Sequence, residues 1–194
     1  MDITIDDPPV LAPQGTPADR MLTAALVVAP VLFLAADAVY AFQGWDSGSG
    51  GVLHVLGAIG YGILVLRVAT WVPGGSWLTT ALVFTAVAGA IGNAAYGFEA
   101  VHQSFGDAPL VDRDGAAFLI KPLGLLFPLS LALVAWTFQR LGHRSQAAAV
   151  LIAAVLWPIA HIANIAPLAV SVNVILVVAL GTCISWTTTS AGDR

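Results

Sequence analysis

The sequence predicts an all-α integral membrane protein, a bundle of six transmembrane helices with both termini in the cytoplasm. Only 9% of the 194 residues are charged, while 58% are hydrophobic. A soluble domain typically carries about 25% charged residues. The apolar residues form runs of about 20 residues, the length that a helix needs to cross a bilayer. Finally, an even number of crossings brings most arginines to one face of the bundle.

Six apolar runs are long enough to span a bilayer. They cover residues 21–43, 52–72, 77–98, 116–140, 147–165 and 168–186. Glycine, serine and proline in the first two connections favour turns. The third connection, 99–115, is the longest and is acidic, and the short connection 166–167 predicts a hairpin of the last two helices. We expect one transmembrane domain over 21–187, with a proline-rich mobile tail at 1–20 and a short tail at 188–194.

The charged residues predict an orientation. With six crossings, one end of the bundle carries Arg20, Arg67, Arg140, Arg144 and Arg194. The loops at the other end carry Arg113 together with Asp46, Glu99, Asp107, Asp112 and Asp114. We call these the arginine end and the acidic end. Loops rich in arginine and lysine face the cytoplasm, so the arginine end is predicted to be cytoplasmic in the cell (inner) membrane.

Charge and cysteine content argue against several classes of protein. The net charge is −4 and no basic patch is present, so nucleic acid is not an expected partner. The single cysteine, Cys183, excludes an intrachain disulfide and a cysteine-based zinc site. The N-terminal stretch is acidic and lacks the positive segment that begins a secretory signal.

Polar residues within the runs concentrate near the acidic end, and every run contributes to this layer. Its members are Asp37 and Tyr40, then His54, then Asn93, Tyr96, Glu99 and His102, then Lys121, then Trp157, His161 and Asn164, and finally Asn173. The halves toward the arginine end are almost entirely Leu, Val, Ala, Ile and Phe. Because polar residues inside a membrane often mark functional sites, we expect a polar pocket in the outer half of the bundle.

Asp37 and Lys121 are charged residues that lie inside the runs, toward the acidic end. Each would cost roughly 2.5–3.5 kcal/mol if it faced lipid at the bilayer centre. The simplest arrangement is a mutual ion pair, which could be structural or functional. Lys121 could instead extend toward the outer interface. The histidines, asparagines and aromatic residues nearer the surface also fit an ordinary interfacial role.

The predicted function is binding or conversion of a small apolar or lipid-like molecule in this pocket. Acid–base chemistry would come from Asp37, Glu99, Lys121 and His161. The remaining pocket residues would bind the ligand: Tyr40, His54, Asn93, Tyr96, Trp157, Asn164 and Asn173.

Other functions remain open. A transporter or proton-coupled carrier would use the same ionisable residues, although the apolar inner halves argue against a continuous polar path. Glu99 and His102 have the Glu-x-x-His spacing of helical metal sites, which His54 and His161 would complete. The same two histidines would suit haem. A non-catalytic subunit or sensor is the last alternative. The sequence specifies no cofactor, reaction or oligomeric state.

Overall fold

The computed structural model describes residues 15–184, which form six helices and their connections, with no strand in that range. The helices are α1 (Pro17–Gln43), α2 (Gly48–Ala69), α3 (Trp77–Gln103), α4 (Ala116–Arg140), α5 (Arg144–Ile162) and α6 (Ala166–Gly181). The first five are long and apolar enough to cross a membrane, and α6 is apolar but shorter, with 16 residues. The predicted all-helical architecture is confirmed.

Local capping decides several helix ends that hydropathy does not. Thr16 and Asp19 form a capping box, so α1 begins at Pro17, before its apolar run. Ser47 caps α2 by accepting a hydrogen bond from a backbone amide. α3 continues to Gln103, past the predicted end of its apolar run. The predicted end of the sixth run, residues 1–14 of the N-terminal tail and the C-terminal tail lie outside the described residues.

The six helices form a closed ring in chain order. Each helix packs against the next, and α6 packs against α1. Four aromatic rings from four helices meet inside the ring. Phe127 of α4 lies 5.4 Å from Phe33 of α1, 5.0 Å from Tyr61 of α2 and 4.8 Å from Trp157 of α5, measured between ring centroids. This aromatic cluster fills the middle of the bundle and supports the polar side chains that lie one turn closer to the acidic end.

The half of the bundle toward the arginine end has a solid apolar core. Its fully buried side chains are Leu26, Leu64, Val68, Leu78, Leu82, Leu131, Val134, Phe138, Val150, Leu176 and Leu180. Three buried hydroxyls in α3 and α4, those of Thr85, Ser130 and Thr137, donate to carbonyls of their own helix. The described residues of this half therefore supply no continuous polar path.

Helices α2, α3 and α4 approach one another backbone to backbone. A Cβ added at Gly51 of α2 would lie 2.5 Å from the carbonyl oxygen of Gly97 in α3. A Cβ added at Gly92 of α3 would lie 2.5 Å from the backbone nitrogen of Gly124 in α4. Small residues permit such close helix contacts in a bilayer. These three helices therefore form one tightly packed block.

Candidate functional site

A buried carboxylate joins α1 to the α5–α6 hairpin. Asp37 of α1 has no exposed surface. Its Oδ2 atom accepts a 2.6 Å hydrogen bond from Nδ2 of Asn173 in α6. Its Oδ1 atom lies 3.3 Å from Nε2 of His161 in α5. Asn173 also donates to the carbonyl of Ala169, 3.3 Å away, which orients its amide.

The hydrogen bonds of His161 determine how many protons it shares with Asp37. Its Nδ1 lies 2.9 Å from the carbonyl oxygen of Trp157. A carbonyl oxygen only accepts, so Nδ1 carries a hydrogen. The bond between Nε2 and Asp37 then contains one proton, which sits either on the imidazole or on the carboxylate. The Asp37–His161 pair is electrically neutral in both forms, so its burial does not leave a net charge in the bundle.

Two tryptophans enclose His161. The ring of Trp157 stacks on the imidazole with centroids 4.1 Å apart, and the ring of Trp45 meets it edge-on at 5.5 Å. Trp45 lies in the α1–α2 connection, and its Nε1 donates to the backbone carbonyl of Asn164, 3.3 Å away. The His161 side chain is 12% exposed, whereas that of Asp37 is completely buried. His161 is therefore the member of the pair nearer to solvent at the acidic end, and Trp45 covers it there.

A second hydrogen-bonded pair, formed by His54 and Asn93, lies beside the Asp37–His161 pair. His54 Nε2 of α2 is 3.0 Å from Oδ1 of Asn93 in α3. The amide oxygen accepts, so Nε2 carries the hydrogen and Nδ1 carries a lone pair. The ring of His54 lies 6.2 Å from that of His161 and 4.7 Å from that of Phe33. We refer to Asp37, His54, Asn93, His161 and Asn173 as the polar cluster.

The polar cluster and the rings against it have unused hydrogen-bonding capacity. Of the seven buried side-chain atoms that lack a partner among the described residues, five lie here: His54 Nδ1, Tyr61 Oη, Asn93 Nδ2, Trp157 Nε1 and Asn173 Oδ1. Leaving a buried donor or acceptor unpaired costs about 1–3 kcal/mol. Such a concentration in one layer is unusual for purely structural packing, because buried polar groups are normally satisfied.

The expected ion pair between Asp37 and Lys121 is not formed. The Nζ atom of Lys121 lies 3.5 Å from Oδ1 of Asp112 in the α3–α4 connection, and both side chains are more than half exposed. Asp37 is instead bonded to His161 and Asn173. The physical reason is that α4 carries Lys121 on an exposed face near the acidic end, where the long side chain extends to the connecting loop.

Glu99 and His102 hold the α3–α4 connection. The buried carboxylate of Glu99 accepts hydrogen bonds from Gln103 Nε2 at 2.9 Å and from the backbone nitrogen of Leu110 at 2.7 Å. His102 Nδ1 lies 3.3 Å from Oδ2 of Asp107. Both side chains therefore bind the loop that follows α3 instead of joining the polar cluster.

The same contacts bear on the alternative metal and haem sites. Within residues 15–184, no group of three or more His, Cys, Asp or Glu side chains is arranged to hold a metal ion. For haem, His161 has both ring nitrogens engaged and His54 has Nε2 engaged. Ligation of one iron by both histidines would require breaking a bond of His161 to Asp37 or to the Trp157 carbonyl.

Three residues predicted to bind a ligand lie around the polar cluster and are not members of it. Tyr96 is half-buried and packs against Gly124 of α4. Asn164 has an exposed side chain and contributes its backbone carbonyl to Trp45. Tyr40 stacks on Trp45 with centroids 5.2 Å apart, so it supports the cover over His161.

The sequence-based reasoning missed Tyr61. This residue is buried in α2, contacts the rings of Phe33 and Phe127, and has an unpartnered hydroxyl. A signal for it was present, because tyrosine in a membrane helix normally lies at an interface. Tyr61 stands in the middle of an apolar run, away from both ends.

The polar cluster is packed, and its members contact one another directly. Asp37, Asn93 and Asn173 have no exposed surface. Two surface grooves lie elsewhere, between α4 and α5 and between α5 and α6, on the part of the bundle nearer the arginine end.

Comparison with known protein families, curated proteins and solved structures finds no match to this chain.

Proposed function

We propose that this chain is a proton-coupled membrane carrier for a small molecule, in which protonation of the Asp37–His161 pair releases the α5–α6 hairpin from α1. The observation that carries the proposal is the 3.3 Å contact between His161 Nε2 and Asp37 Oδ1, which joins these helices while Nδ1 of the same ring is bonded to the Trp157 carbonyl. The long apolar helices support a membrane location. Intramembrane acid–base pairs are typical of proton relays and transporters.

A second proton would change the stability of this contact. The pair with one proton is neutral, whereas the pair with two consists of an imidazolium facing a carboxylic acid. That form has a net positive charge on a pair in which Asp37 is completely buried and His161 is 12% exposed, and an unpaired buried charge costs several kcal/mol. Separation of α5 from α1 would expose His161 to water and relieve this cost. The proton therefore has a different affinity for the closed and the open arrangement, which is what coupling requires.

The α5–α6 hairpin is the part of the ring best suited to move. Helices α2, α3 and α4 are in backbone contact at their glycines. By contrast, α5 contains no glycine, and at the packed contact between α6 and α1 the side chain of Asn173 donates to Asp37. Pro158 removes a backbone hydrogen-bond donor one turn before the end of α5, which weakens the helix there.

Proton access in this proposal is from the acidic end only. His161 is 12% exposed and lies against Trp45 of the α1–α2 connection, and the half toward the arginine end has an apolar core. By the positive-inside rule, the arginine end and both termini would face the cytoplasm. Protons would then reach the acidic end from the opposite, extracytoplasmic side of the membrane. With proton access at one end and an apolar core at the other, protons would cross only together with a substrate.

The rearrangement is measured as a distance between spin labels at the acidic end. Exposed Phe98 of α3 and Ile162 of α5 are changed to cysteine, with Cys183→Ala, and the labelled protein is reconstituted in vesicles. We expect the distance distribution to shift on acidification and the shift to disappear in Asp37→Asn. Lys121→Met is the matched control and should retain the shift. Identical distributions at neutral and acidic pH in the otherwise unchanged protein would refute the proposal.

Transport itself is tested on proteoliposomes with an imposed proton gradient. Small organic cations, organic anions and neutral amphiphiles are applied separately while charge movement is recorded. We expect a current with at least one class, and its loss in Asp37→Asn. A pH-dependent rearrangement without any current would show a proton sensor in place of a carrier.

A second candidate is binding or conversion of a small apolar or lipid-like molecule beside His54. The unpartnered Nδ1 lone pair of His54 lies within an aromatic wall formed by Phe33 and Tyr40, at ring distances of 4.7 and 6.0 Å. Mass spectrometry of lipids extracted from the purified protein tests it. A compound retained by the unchanged chain and lost in His54→Phe would favour this function over the carrier.

A further inference from the structure

A groove between α4 and α5 has a floor of small side chains. The floor is formed by Ala132 and Ala135 of α4 and by Ala147 and Ala148 of α5. On each helix the lining residues follow the spacing i, i+3, i+4, i+7, so they form one continuous stripe per helix. Alanine at these positions leaves a long apolar depression on the outer surface of the bundle.

Larger apolar side chains flank this floor. Trp136 of α4 and Leu151 of α5 line the groove and are about half exposed, at 56% and 49%. Their exposure faces the side of the bundle that lipid surrounds in a membrane. The apolar lining of this depression suits a hydrocarbon chain that lies along the helices.

The end of the groove nearest the arginine end is polar and basic. Arg144, the first residue of α5, and Gln139, near the end of α4, both line it and are exposed. Among the described residues Arg144 forms no ion pair with an acidic side chain. Arg140 lies next to Gln139 and is exposed as well. The groove thus changes from apolar to cationic along its length.

We infer that this groove is a binding site for an anionic phospholipid of the leaflet at the arginine end. One acyl chain lies along the alanine floor, and the phosphate binds the guanidinium of Arg144, with Gln139 as a further donor. Arginine presents several N–H donors in a planar fork that matches phosphate oxygens. Basic pockets between transmembrane helices bind lipid head groups in this way. The site is separate from the polar cluster and does not depend on the proposed carrier function.

Tryptophan fluorescence reports on this site directly, because Trp136 lines the groove. The full chain is reconstituted in phosphatidylcholine vesicles that contain a small fraction of brominated phosphatidylglycerol, or the same fraction of brominated phosphatidylcholine. We expect stronger quenching by the anionic lipid. The excess should vanish in Trp136→Phe and persist in Trp77→Phe, because Trp77 is an exposed tryptophan at the same end but outside the groove.

Charge variants separate a specific site from general attraction to the bundle. Arg144→Gln should weaken the anionic-lipid preference about five-fold, the expected effect of one arginine near a charged head group. Arg144→Lys should largely keep it, and Arg113→Gln, at the opposite end, should leave it unchanged. Ala148→Leu fills the floor without adding a fluorophore and should reduce quenching by both lipids. Equal quenching by the two brominated lipids, or an unchanged preference in Arg144→Gln, would overturn the inference.

Discussion

The sharpest test of the polar cluster is a pair of substitutions at Asp37. Asp37→Leu removes both acceptor oxygens at similar volume. Asp37→Asn keeps the shape: its amide oxygen can accept from Asn173, and its amide nitrogen can donate to Nε2 of a neutral His161. The two variants therefore separate the loss of hydrogen bonds from the loss of charge.

The size of each effect follows from the two bond lengths. The bond from Asn173 is 2.6 Å long, so we assign it the upper value for polar contacts between membrane helices, about 1.7 kcal/mol. The contact with His161 is 3.3 Å long and receives the average, about 0.6 kcal/mol. Asn173 keeps its bond to Ala169, so little is added for an unpaired donor. Asp37→Leu should therefore lower the free energy of unfolding by about 2 kcal/mol.

Asp37→Asn should have about half this effect, because neutral hydrogen bonds are roughly half as strong as charge-assisted ones. Unfolding is measured by circular dichroism in mixed micelles with increasing denaturing detergent. The control is Asp112→Asn, since Asp112 is an exposed acid in the α3–α4 connection whose ion pair should contribute little.

Two results would refute this reasoning. If Asp37→Leu were as stable as the unchanged protein, the buried carboxylate would not hold the α5–α6 hairpin against α1. If Asp37→Asn were as destabilising as Asp37→Leu, the charge would dominate and the assignment of energy to individual hydrogen bonds would be wrong.

Three further predictions test the rest of the structure. Lys121→Met should change the free energy of unfolding by less than roughly 1 kcal/mol. Its effect should add to that of Asp37→Leu within about 0.5 kcal/mol, because the two residues do not interact. A larger coupling energy in a double-mutant cycle of detergent unfolding would contradict this. Glu99→Ala removes a buried acceptor, so hydrogen exchange in the α3–α4 connection should accelerate at least roughly ten-fold, and unchanged exchange would show that Glu99 does not hold the loop. Gly92→Ala should cost about 1–3 kcal/mol by overpacking α3 against α4, whereas Gly181→Ala, at a position with open space, should not destabilise; equal melting temperatures would argue against the close helix contact.

Hydropathy was sufficient to predict the helices and the polar layer, because both depend on the depth of each residue along a helix. Depth follows from position in the sequence once the runs are located. The positions of Asp37, His161 and Asn173 in their runs put all three in this layer, whatever the ring order of the helices. Their shared depth made contact between them geometrically permitted.

Hydropathy does not predict which side chains of this layer form hydrogen bonds with one another, for a physical reason. Which side chains meet depends on the rotation of each helix about its own axis and on which helices are neighbours. In these helices apolar residues face both lipid and interior, so composition gives little indication of rotation. The sequence therefore suggested Lys121 as the partner of Asp37 by charge alone, whereas the closure of α6 against α1 brings Asn173 and His161 to it.

The contrast between the two halves of the bundle argues that the polar cluster serves a purpose other than stability. The same six helices pack a solid apolar core toward the arginine end, so their geometry does not force polar side chains into the interior. Apolar residues can usually replace a buried ion pair without loss of stability. The cluster's strongest bonds lie where α1 meets the α5–α6 hairpin, at a contact that lacks the glycine packing of α2, α3 and α4. Helices α1 and α6 also pack against each other, but the hydrogen bonds of Asp37 are the part of this contact that a proton can weaken, whereas glycine packing offers no group to protonate.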